Sequence, residues 1–234
     1  MMARNLFLEG KNVYLEEVQP KYFSSIISWR NNSENNRFLN QPFELTMELQ
    51  KRWYENTYLE DASQGLLVAV DKSNETPFAT LGWTDYNASE GIAIAGRLLV
   101  GEHIYRGSLR WLEAARLVND YLYFEKNVQN MYAHVVVDNV ASVKWHLKWG
   151  YRENMDIRYP RELIVNNMVQ KEYIRTKAEY ESIYNIISNK LNALNCCYNK
   201  YGGVKVSLTV MYCHFQHFLP KLSLSRQSIR EQRK

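Results

Sequence analysis

The sequence predicts a mixed α/β fold with a central, mostly antiparallel, twisted sheet of six to seven strands and about four flanking helices. Three observations support this fold class: three strand-like segments follow two helical ones, the periodicity becomes helical over residues 107–126, and strand periodicity returns directly afterwards. The predicted order is β-α-α-β-β-β-α-β-α-β-β, which indicates one domain that combines a sheet with covering helices.

The chain begins with a predicted strand and a helix. Apolar and polar residues alternate between Asn12 and Val18, as expected of a half-buried strand. Pro20 suits the first turn of a helix that runs to about Arg30, and the polar cluster at residues 31–33 ends it.

A second helix and a meander of three strands come next. Thr46 stands before an amphipathic stretch and is the expected helix cap, and Gly65 marks the end of that region. The predicted strands of the meander are Leu66–Val70, Phe78–Trp83 and Ile92–Val100.

The second half of the domain predicts a β-α-β unit. A helix over residues 107–126 leads into a strand at Met131–Val137, and a further helix runs from Asn139 to about Trp149, where Gly150 stops it. Two final strands are expected at Tyr151–Ile157 and Leu163–Val169.

Charge divides the chain into a domain at residues 1–185 and a basic extension at residues 186–234 that is flexible or loosely docked. Residues 1–188 hold 21 Lys and Arg against 24 Asp and Glu, whereas residues 189–234 hold 8 against 1. The helical pattern fades after Ile187. A basic tail of this kind is compatible with contact to nucleic acid or to an acidic surface such as the ribosome.

The cysteines and the apolar segments exclude several classes of function. Cys196, Cys197 and Cys213 all lie in the extension, so the domain has no thiol nucleophile or disulfide, and their spacing to His214 and His217 does not fit a zinc site. We therefore expect no metal. Without a long apolar segment or an apolar leader, we also expect a cytoplasmic protein without membrane contact, either a monomer or a homodimer.

The turn after residues 92–100 predicts an anion site. Backbone N–H groups at the start of the following helix lack helical partners, and Arg106 adds a positive charge beside them. Residues Arg106, Gly107 and Ser108 fit a plain helix cap equally well.

The segment Asn139-Val-Ala-Ser142-Val-Lys-Trp-His146-Leu-Lys148-Trp-Gly-Tyr151 resembles the C-terminal signature of the GNAT acetyltransferases. Upstream, Trp29-Arg-Asn and the spacing of Thr46, Glu48, Gln50 and Trp53 resemble the branch that contains ribosomal-protein N-terminal and amino-sugar-nucleotide acetyltransferases. The resemblance spans residues 8–176 and does not extend into the basic extension.

This resemblance implies the GNAT fold and acetyl-CoA as cosubstrate. Leu98, Leu99 and Val100 would receive the pantetheine arm of the cosubstrate as an added strand would, and a backbone N–H near Val100 would polarise the thioester carbonyl. Asn139, Ser142 and Lys148 complete the expected cofactor-binding set. Asn139 and Lys148 also suit the two helix ends without a ligand.

The same family holds the pyrophosphate in a loop that this chain alters. When the loop arginine of the family is placed on Arg106, Leu109 and Trp111 stand where small residues are expected, so their side chains must turn away from the phosphates. Arg110 is either a compensating phosphate contact or a solvated helix residue.

For the chemistry, the resemblance suggests His146 as the proton donor to the departing thiolate, because the family often has a tyrosine there and histidine titrates near neutrality. Alternatively, His146 is a packed or exposed helix residue. Glu102 is the candidate general base, with His103 and Asp85 as alternatives, although relay through water would dispense with all three.

The predicted activity is acetyl transfer from acetyl-CoA to a primary amine of a small molecule, an amino-sugar nucleotide or a peptide N-terminus. Four aromatic residues either shape the acceptor pocket or form core: Trp29, Trp53, Trp83 and Tyr86. Because of the altered loop, the alternative is a degenerate, non-catalytic acyl-CoA-binding or interaction protein.

Overall fold

A computed structural model describes residues 5–156, 164–165 and 168–200 of the chain. The chain divides into two compact units, Met1–Leu191 and Asn192–Lys234. The candidate active site lies within the unit Met1–Leu191. Most of the basic extension, including Cys213, His214 and His217, lies outside the described residues, so its predicted role in binding stays a prediction.

The N-terminal half of the sheet is an antiparallel meander. Its strands and the helices that interrupt it are β1 (Phe7–Glu9), β2 (Val13–Glu17), α1 (Phe23–Asn31), α2 (Ser33–Asn36), α3 (Met47–Trp53), β3 (Gly65–Asp71), β4 (Thr76–Asn87) and β5 (Ile92–Val100). A 3₁₀ turn at Pro20–Tyr22 precedes α1 and a π turn at Tyr54–Tyr58 extends α3.

The C-terminal half adds the crossover and the closing strands. Its elements are α4 (Leu109–Asp120), β6 (Asn130–Val136), α5 (Val140–Lys148), β7 (Arg152–Glu153), β8 (Ile164–Val165), β9 (Met168–Thr176) and α6 (Lys177–Lys200). A 3₁₀ turn at His103–Tyr105 precedes α4, and a π turn at Tyr121–Glu125 follows it.

Eight of the described strands form one continuous sheet in the order β1-β2-β3-β4-β5-β6-β9-β7, and the short β8 pairs with β9. Only the β5–β6 pair among them is parallel. The mixed α/β fold class is therefore confirmed, with more strands and helices than predicted. The central strand β3 is buried along its whole length, which explains its uninterrupted apolar run.

Local signals locate two of the helix starts correctly. The side chain of Thr46 accepts a hydrogen bond from the Leu49 N–H, and that of Asn139 accepts one from the Ser142 N–H at 3.1 Å. Both residues are therefore helix caps, as predicted.

Several of the predicted elements are wrong. The strand expected at Tyr151–Ile157 is reduced to Arg152–Glu153 among the described residues. The strand expected at Leu163–Val169 is two strands, because Val165 pairs back onto Met168 and β9 continues to Thr176. The helix expected to fade after Ile187 continues to Lys200. The three-residue strand β1 is absent from the prediction, since it is too short to show an alternating pattern.

Candidate active site

Strands β5 and β6 separate part-way along their length. They pair in parallel from Ile92 with Asn130 to Ile94 with Tyr132, and no pairing joins these two described strands beyond that point. The remainder of β5, residues 95–100, continues alongside β4. A wedge therefore opens between two strands in the middle of the sheet, where an extended ligand with amide groups can bind to backbone edges.

A β-bulge lies on β5 at the mouth of this wedge. Thr80 pairs with Leu99 and Gly82 pairs with Gly96, so Arg97 and Leu98 together face the single residue between them on β4. Arg97 has a φ of 56°, which is uncommon for a residue with a side chain, and its carbonyl accepts a hydrogen bond from the Thr80 hydroxyl at 2.9 Å.

The bulge distributes the side chains of β5 between the two faces of the sheet. Leu98 lines a cavity beneath α4 and α5, whereas Arg97 lines a second cavity beside α1 and α3. Leu99 packs against the apolar cluster of α1, on the same side as Arg97. One short segment therefore borders both cavities.

The loop between β5 and α4 is fixed by backbone contacts. The N–H groups of Gly101 and Glu102 both donate to the Phe78 carbonyl, at 2.9 and 3.1 Å. Gly107 has a φ of 68°, and the Ser108 hydroxyl caps α4 by accepting from the Trp111 N–H at 3.2 Å. The first amides of α4 thus face outward from a capped helix start, which is a general anion-binding geometry.

Both arginines predicted at this loop contact protein groups. Arg106 donates to the Asn35 side chain at 2.5 Å and lies 3.0 Å from Nε2 of His103. Arg110 forms a 2.5 Å ion pair with the buried carboxylate of Asp71. A phosphate contact by either guanidinium would have to be made in addition to these contacts or in exchange for them.

Asp71 is an ionised carboxylate inside the protein. Burial alone would raise its pKa, but hydrogen bonds from the Ser73 backbone, from Arg110 and from the Tyr105 hydroxyl hold the pKa of Asp71 below its usual value. The ion pair therefore anchors the first turn of α4 to the end of β3.

The two large residues of the altered loop lie at least partly inside the protein. Trp111 is buried, and its ring lies 5.3 Å from that of Trp145 on α5, which in turn lies 5.2 Å from Trp149. Leu109 is half-buried at the helix start. The three tryptophans form a contiguous aromatic cluster, here called the tryptophan cluster, between the N-terminal part of α4 and α5.

His146 lies in the interior and does not titrate near neutrality. It lines a small cavity of about 30 Å³, together with Leu98, Tyr151 and Arg175, which has room for water. Burial lowers the pKa of His146 to about 4, so the ring is neutral at pH 7 and the expectation of a near-neutral pKa is corrected.

The hydrogen bonds of His146 select its tautomer. Nδ1 lies 2.8 Å from the Ser142 carbonyl, so the proton of the neutral ring belongs on Nδ1 and the lone pair on Nε2. The neutral ring is therefore set up to accept a proton first. It can donate one only after that step.

The remaining predicted cofactor residues lie on α5 and at its start. Asn139 uses its side-chain oxygen for the cap, which leaves its amide N–H₂ group outside that bond. Ser142 is half-buried one turn before His146, and Lys148 is exposed in the last turn. The fold thus brings Leu98 and His146 to one cavity on the α5 side of the sheet, whereas Asn139 and Ser142 lie at the start of α5.

The candidate bases are not gathered in the same way. Glu102 is exposed at the end of β5 and accepts a hydrogen bond from the Trp29 indole at 2.9 Å. His103 lies 3.4 Å from Glu34 at the surface. Asp85 lies towards the other end of the β4–β5 pair, near Ser63 and Asn87, and so is distant in the strand register from the bulge.

The second cavity, here called the arginine cavity, has a volume of about 780 Å³. Among the residues that line it are Arg30, Gln50, Arg52, Trp53, Thr80 and Arg97. Trp53 is the one member of the four aromatic candidates that lines it. Trp29 is a buried residue of α1 and belongs to the core there. Trp83 packs against Tyr121 in the π turn after α4, and the Tyr86 hydroxyl donates to the Lys126 carbonyl.

Arg97 is a site residue that the sequence did not reveal, and Gln50 entered the sequence analysis only as a member of the motif around Thr46 and Trp53, without a role. Arg97 lines the cavity because of the bulge, which is a feature of the register between two strands. A positive φ is usually marked in a sequence by glycine, and here the residue is an arginine. Gln50 belongs to the predicted helix pattern, which by itself assigns no role to a polar residue.

The residues that build this site match a known protein family. A family model described as the acetyltransferase (GNAT) domain matches residues 12–152. The chain belongs to the GNAT acetyltransferase family. The match covers the meander from β2 onwards, the wedge, the loop before α4 and α5, so the family assignment rests largely on the residues that build the site. A comparison with curated proteins finds no match.

Solved structures share this fold at low sequence identity. Similar chains include the apo form of FdhC, described as a nucleotide-linked sugar GNAT, with 18% identity, a TM-score of 0.62, and coverage of 79% of this chain and 98% of the other. Spermidine N-acetyltransferase from Vibrio cholerae, in complex with CoA and spermine, has 17% identity, a TM-score of 0.62 and coverage of 73% and 99%. A GCN5-related N-acetyltransferase from Brucella melitensis has 14% identity, a TM-score of 0.66 and coverage of 81% and 86%.

Two further features are absent from the described residues. No helix in that part of the chain is long and apolar enough to cross a membrane. Nor does the described part contain a group of three or more His, Cys, Asp or Glu side chains arranged to hold a metal ion.

Proposed function

We propose that this GNAT protein transfers the acetyl group of acetyl-CoA to a primary amine by direct attack. The observation that carries the proposal is the wedge between β5 and β6, which has a cavity on each face of the sheet beside the same bulged segment. A cosubstrate threaded through the wedge would meet an amine held in the arginine cavity. The GNAT family uses acetyl-CoA, and one structural neighbour was solved with CoA.

In this proposal the backbone of Leu98, Leu99 and Val100 binds the pantetheine arm, and an N–H near Val100 polarises the thioester carbonyl. The amides of Gly107, Leu109 and Arg110 receive the pyrophosphate at the start of α4, with Arg106 and the capping residue Ser108 beside them; the Ser108 amide itself donates to the Tyr105 carbonyl at 3.0 Å. Asn139, Ser142 and Lys148 contact the cosubstrate from the α5 side.

The proton balance of the reaction suits a neutral histidine. The amine nitrogen attacks the carbonyl carbon, the C–N bond forms and the C–S bond breaks, so one proton must move from the nitrogen to the sulfur. Nε2 of His146 accepts that proton and delivers it to the thiolate. His146 therefore keeps its proposed role as proton donor to the thiolate, but its ring is neutral and not protonated before the reaction begins. Glu102, which lies at the end of β5, or a water molecule removes a proton from the incoming ammonium group, so that the amine is neutral when it attacks.

The acceptor is a small-molecule amine, an amino-sugar nucleotide or a peptide N-terminus. The structural neighbours named for a nucleotide-linked sugar and for spermidine support the first two classes. The competing hypothesis, a degenerate acyl-CoA-binding or interaction protein, rests on Leu109 and Trp111, and neither the family match nor the neighbours give a sign of it.

Calorimetry with acetyl-CoA tests the proposal. We expect saturable binding, with a loss of at least tenfold in affinity for Leu109→Pro, which removes one amide at the first position of α4, where proline fits the helix, and keeps the Ser108 cap. Lys51→Gln, at an exposed position on α3, is the control for a surface change. Absence of binding at millimolar acetyl-CoA would overturn the enzyme proposal.

A further inference from the structure

The arginine cavity has an unusual charge composition. Three of its lining residues are arginines, Arg30, Arg52 and Arg97, and the described residues that line it include no Asp or Glu. Arg52 is exposed at the rim and forms a 2.7 Å ion pair with Glu48, whereas Arg30 and Arg97 lie deeper. The interior of the cavity is therefore positive.

The two deeper guanidinium groups are costly to hold there. Burial lowers the pKa of Arg30, and burial together with the repulsion from Arg30 lowers the pKa of Arg97. Asp61 and Asp85 attract Arg97 from a distance, but neither carboxylate lines the cavity. Like charges in one cavity remain close together when an opposite charge binds between them.

Two residues in the wall of this cavity have hydrogen-bond donors without acceptors. Nη1 of Arg97 and Nε2 of Gln50 are both buried and have no hydrogen-bond partner among the described residues. The Gln50 residue is only 3% exposed, so bulk water does not satisfy it. A buried donor without a partner is costly, and two in one cavity indicate a ligand that supplies acceptor oxygens.

Other contacts hold Arg97 in place. Its Nη2 donates to the Gln64 side chain, Gln64 in turn donates to the Thr57 carbonyl at 3.2 Å, and the guanidinium lies 5.3 Å from the centre of a Trp53 ring. Arg30 is held by Gln41 at 2.7 Å. The positive groups are thus fixed before a ligand arrives, as in a built recognition site.

We infer that the acetyl acceptor carries an anionic group, a carboxylate or a phosphate, which binds to Arg97, Arg30 and Gln50 in the arginine cavity. This inference rests on the proposed function and narrows its acceptor class. It favours amino acids, amino-sugar phosphates and amino-sugar nucleotides over polyamines, whose positive charges the arginines repel. Because Arg97 belongs to the bulge beside the wedge, the anion also positions the amine close to the thioester.

Paired acceptors test the inference through activity. Thiol release from acetyl-CoA is measured with glycine against glycinamide, glucosamine 6-phosphate against glucosamine, and a UDP-linked amino sugar against spermidine. We expect kcat/KM to be at least tenfold higher for the anionic member of at least one of these pairs, and the pair that shows the effect identifies carboxylate, phosphate or nucleotide as the source. Equal or better transfer to the member without an anionic group in all three pairs would overturn the inference.

A binding measurement separates this inference from the proposed function. Orthophosphate should raise the unfolding temperature of the wild-type chain and of Lys51→Gln, a control on the exposed side of α3, by clearly more than that of Arg97→Gln, which keeps only the anion site at the start of α4. If Arg97→Gln fails to fold, Arg97→Lys replaces it in the experiment. Lysine keeps the positive charge but lacks the two-pronged guanidinium group, so phosphate should raise the unfolding temperature of Arg97→Lys by less than that of the wild type. If phosphate binding depends on Arg97 while no amine is acetylated, the anion site stands and the enzyme proposal fails. Phosphate binding unchanged in Arg97→Gln would overturn the site.

Discussion

Trp111 on α4 and Trp145 on α5 lie with ring centroids 5.3 Å apart and planes inclined by 33°. Trp111 occupies the position where the GNAT loop usually has a small residue, and its side chain turns into the protein instead of towards the loop amides. The large side chain is therefore accommodated between α4 and α5, inside the protein. The altered loop is compatible with the family activity for this physical reason.

The tryptophan cluster should contribute to stability and not to phosphate binding. We expect Trp111→Ala to lower the free energy of unfolding by about 3 kcal/mol, since it deletes a buried aromatic side chain. Urea denaturation measures this loss. The affinity for acetyl-CoA, measured below the unfolding transition, should be unchanged or higher. A loss of affinity larger than tenfold would show that the indole itself supports the cosubstrate.

The ion pair between Arg110 and Asp71 should be structural. Arg110→Ala leaves the buried Asp71 carboxylate without its charge partner, and we expect it to cost about 3 kcal/mol of unfolding free energy. Arg116→Ala, in a more exposed 3.6 Å pair on the same helix, is the control and should cost less than about 1 kcal/mol. Equal costs for the two variants would contradict the assignment.

Asp71 also predicts an acid-dependent loss of stability. Its pKa is lower in the folded than in the unfolded chain, so the ionised form stabilises the fold above the unfolded pKa of about 4. That contribution is lost as pH falls through the lower, folded pKa. Asp71→Asn should flatten the dependence of unfolding free energy on pH below about 4, and an unchanged slope would be inconsistent with a depressed pKa.

His146 predicts a second pH dependence, in a higher window. Its pKa is about 4 when folded and about 6.5 when unfolded, so the unfolded chain binds more protons between those values. Stability should therefore fall by roughly 3 kcal/mol as pH drops from 6.5 to 4. Chemical denaturation at several pH values should show this decline in the wild type and a much smaller one in His146→Phe.

The same substitution tests the proposed catalytic role. We expect His146→Phe to lower kcat at least a hundredfold and to change the affinity for acetyl-CoA by less than threefold, because a proton relay acts in the chemical step. A steady-state assay of thiol release measures kcat, and calorimetry measures the affinity for acetyl-CoA. Unchanged turnover would remove His146 from the mechanism.

The sequence predicts those features that depend on neighbouring residues. Thr46 and Asn139 are correctly predicted to begin helices, because a cap needs only its own side chain and the amides two or three residues later. The strand limits of Ile92–Val100 are predicted in full for a similar reason, since the pattern is local.

Features that depend on distant elements are not predictable in this way. The pKa of His146 is lowered by burial, and Tyr151 and Tyr173, which pack against the ring, lie outside its helix. The helical sequence pattern around His146 therefore does not predict its pKa. Arg97 faces the arginine cavity because of a register shift against β4, and such a shift appears only when both strands are paired.

The most direct test of the central claim is amine-dependent release of free CoA thiol from acetyl-CoA by the full chain. With a panel of anionic, neutral and cationic primary amines, we predict saturable release with at least one anionic amine, accompanied by a mass increase of one acetyl group on that amine. Tight binding of acetyl-CoA with no amine-dependent thiol release across the panel would contradict the account and favour a binding protein.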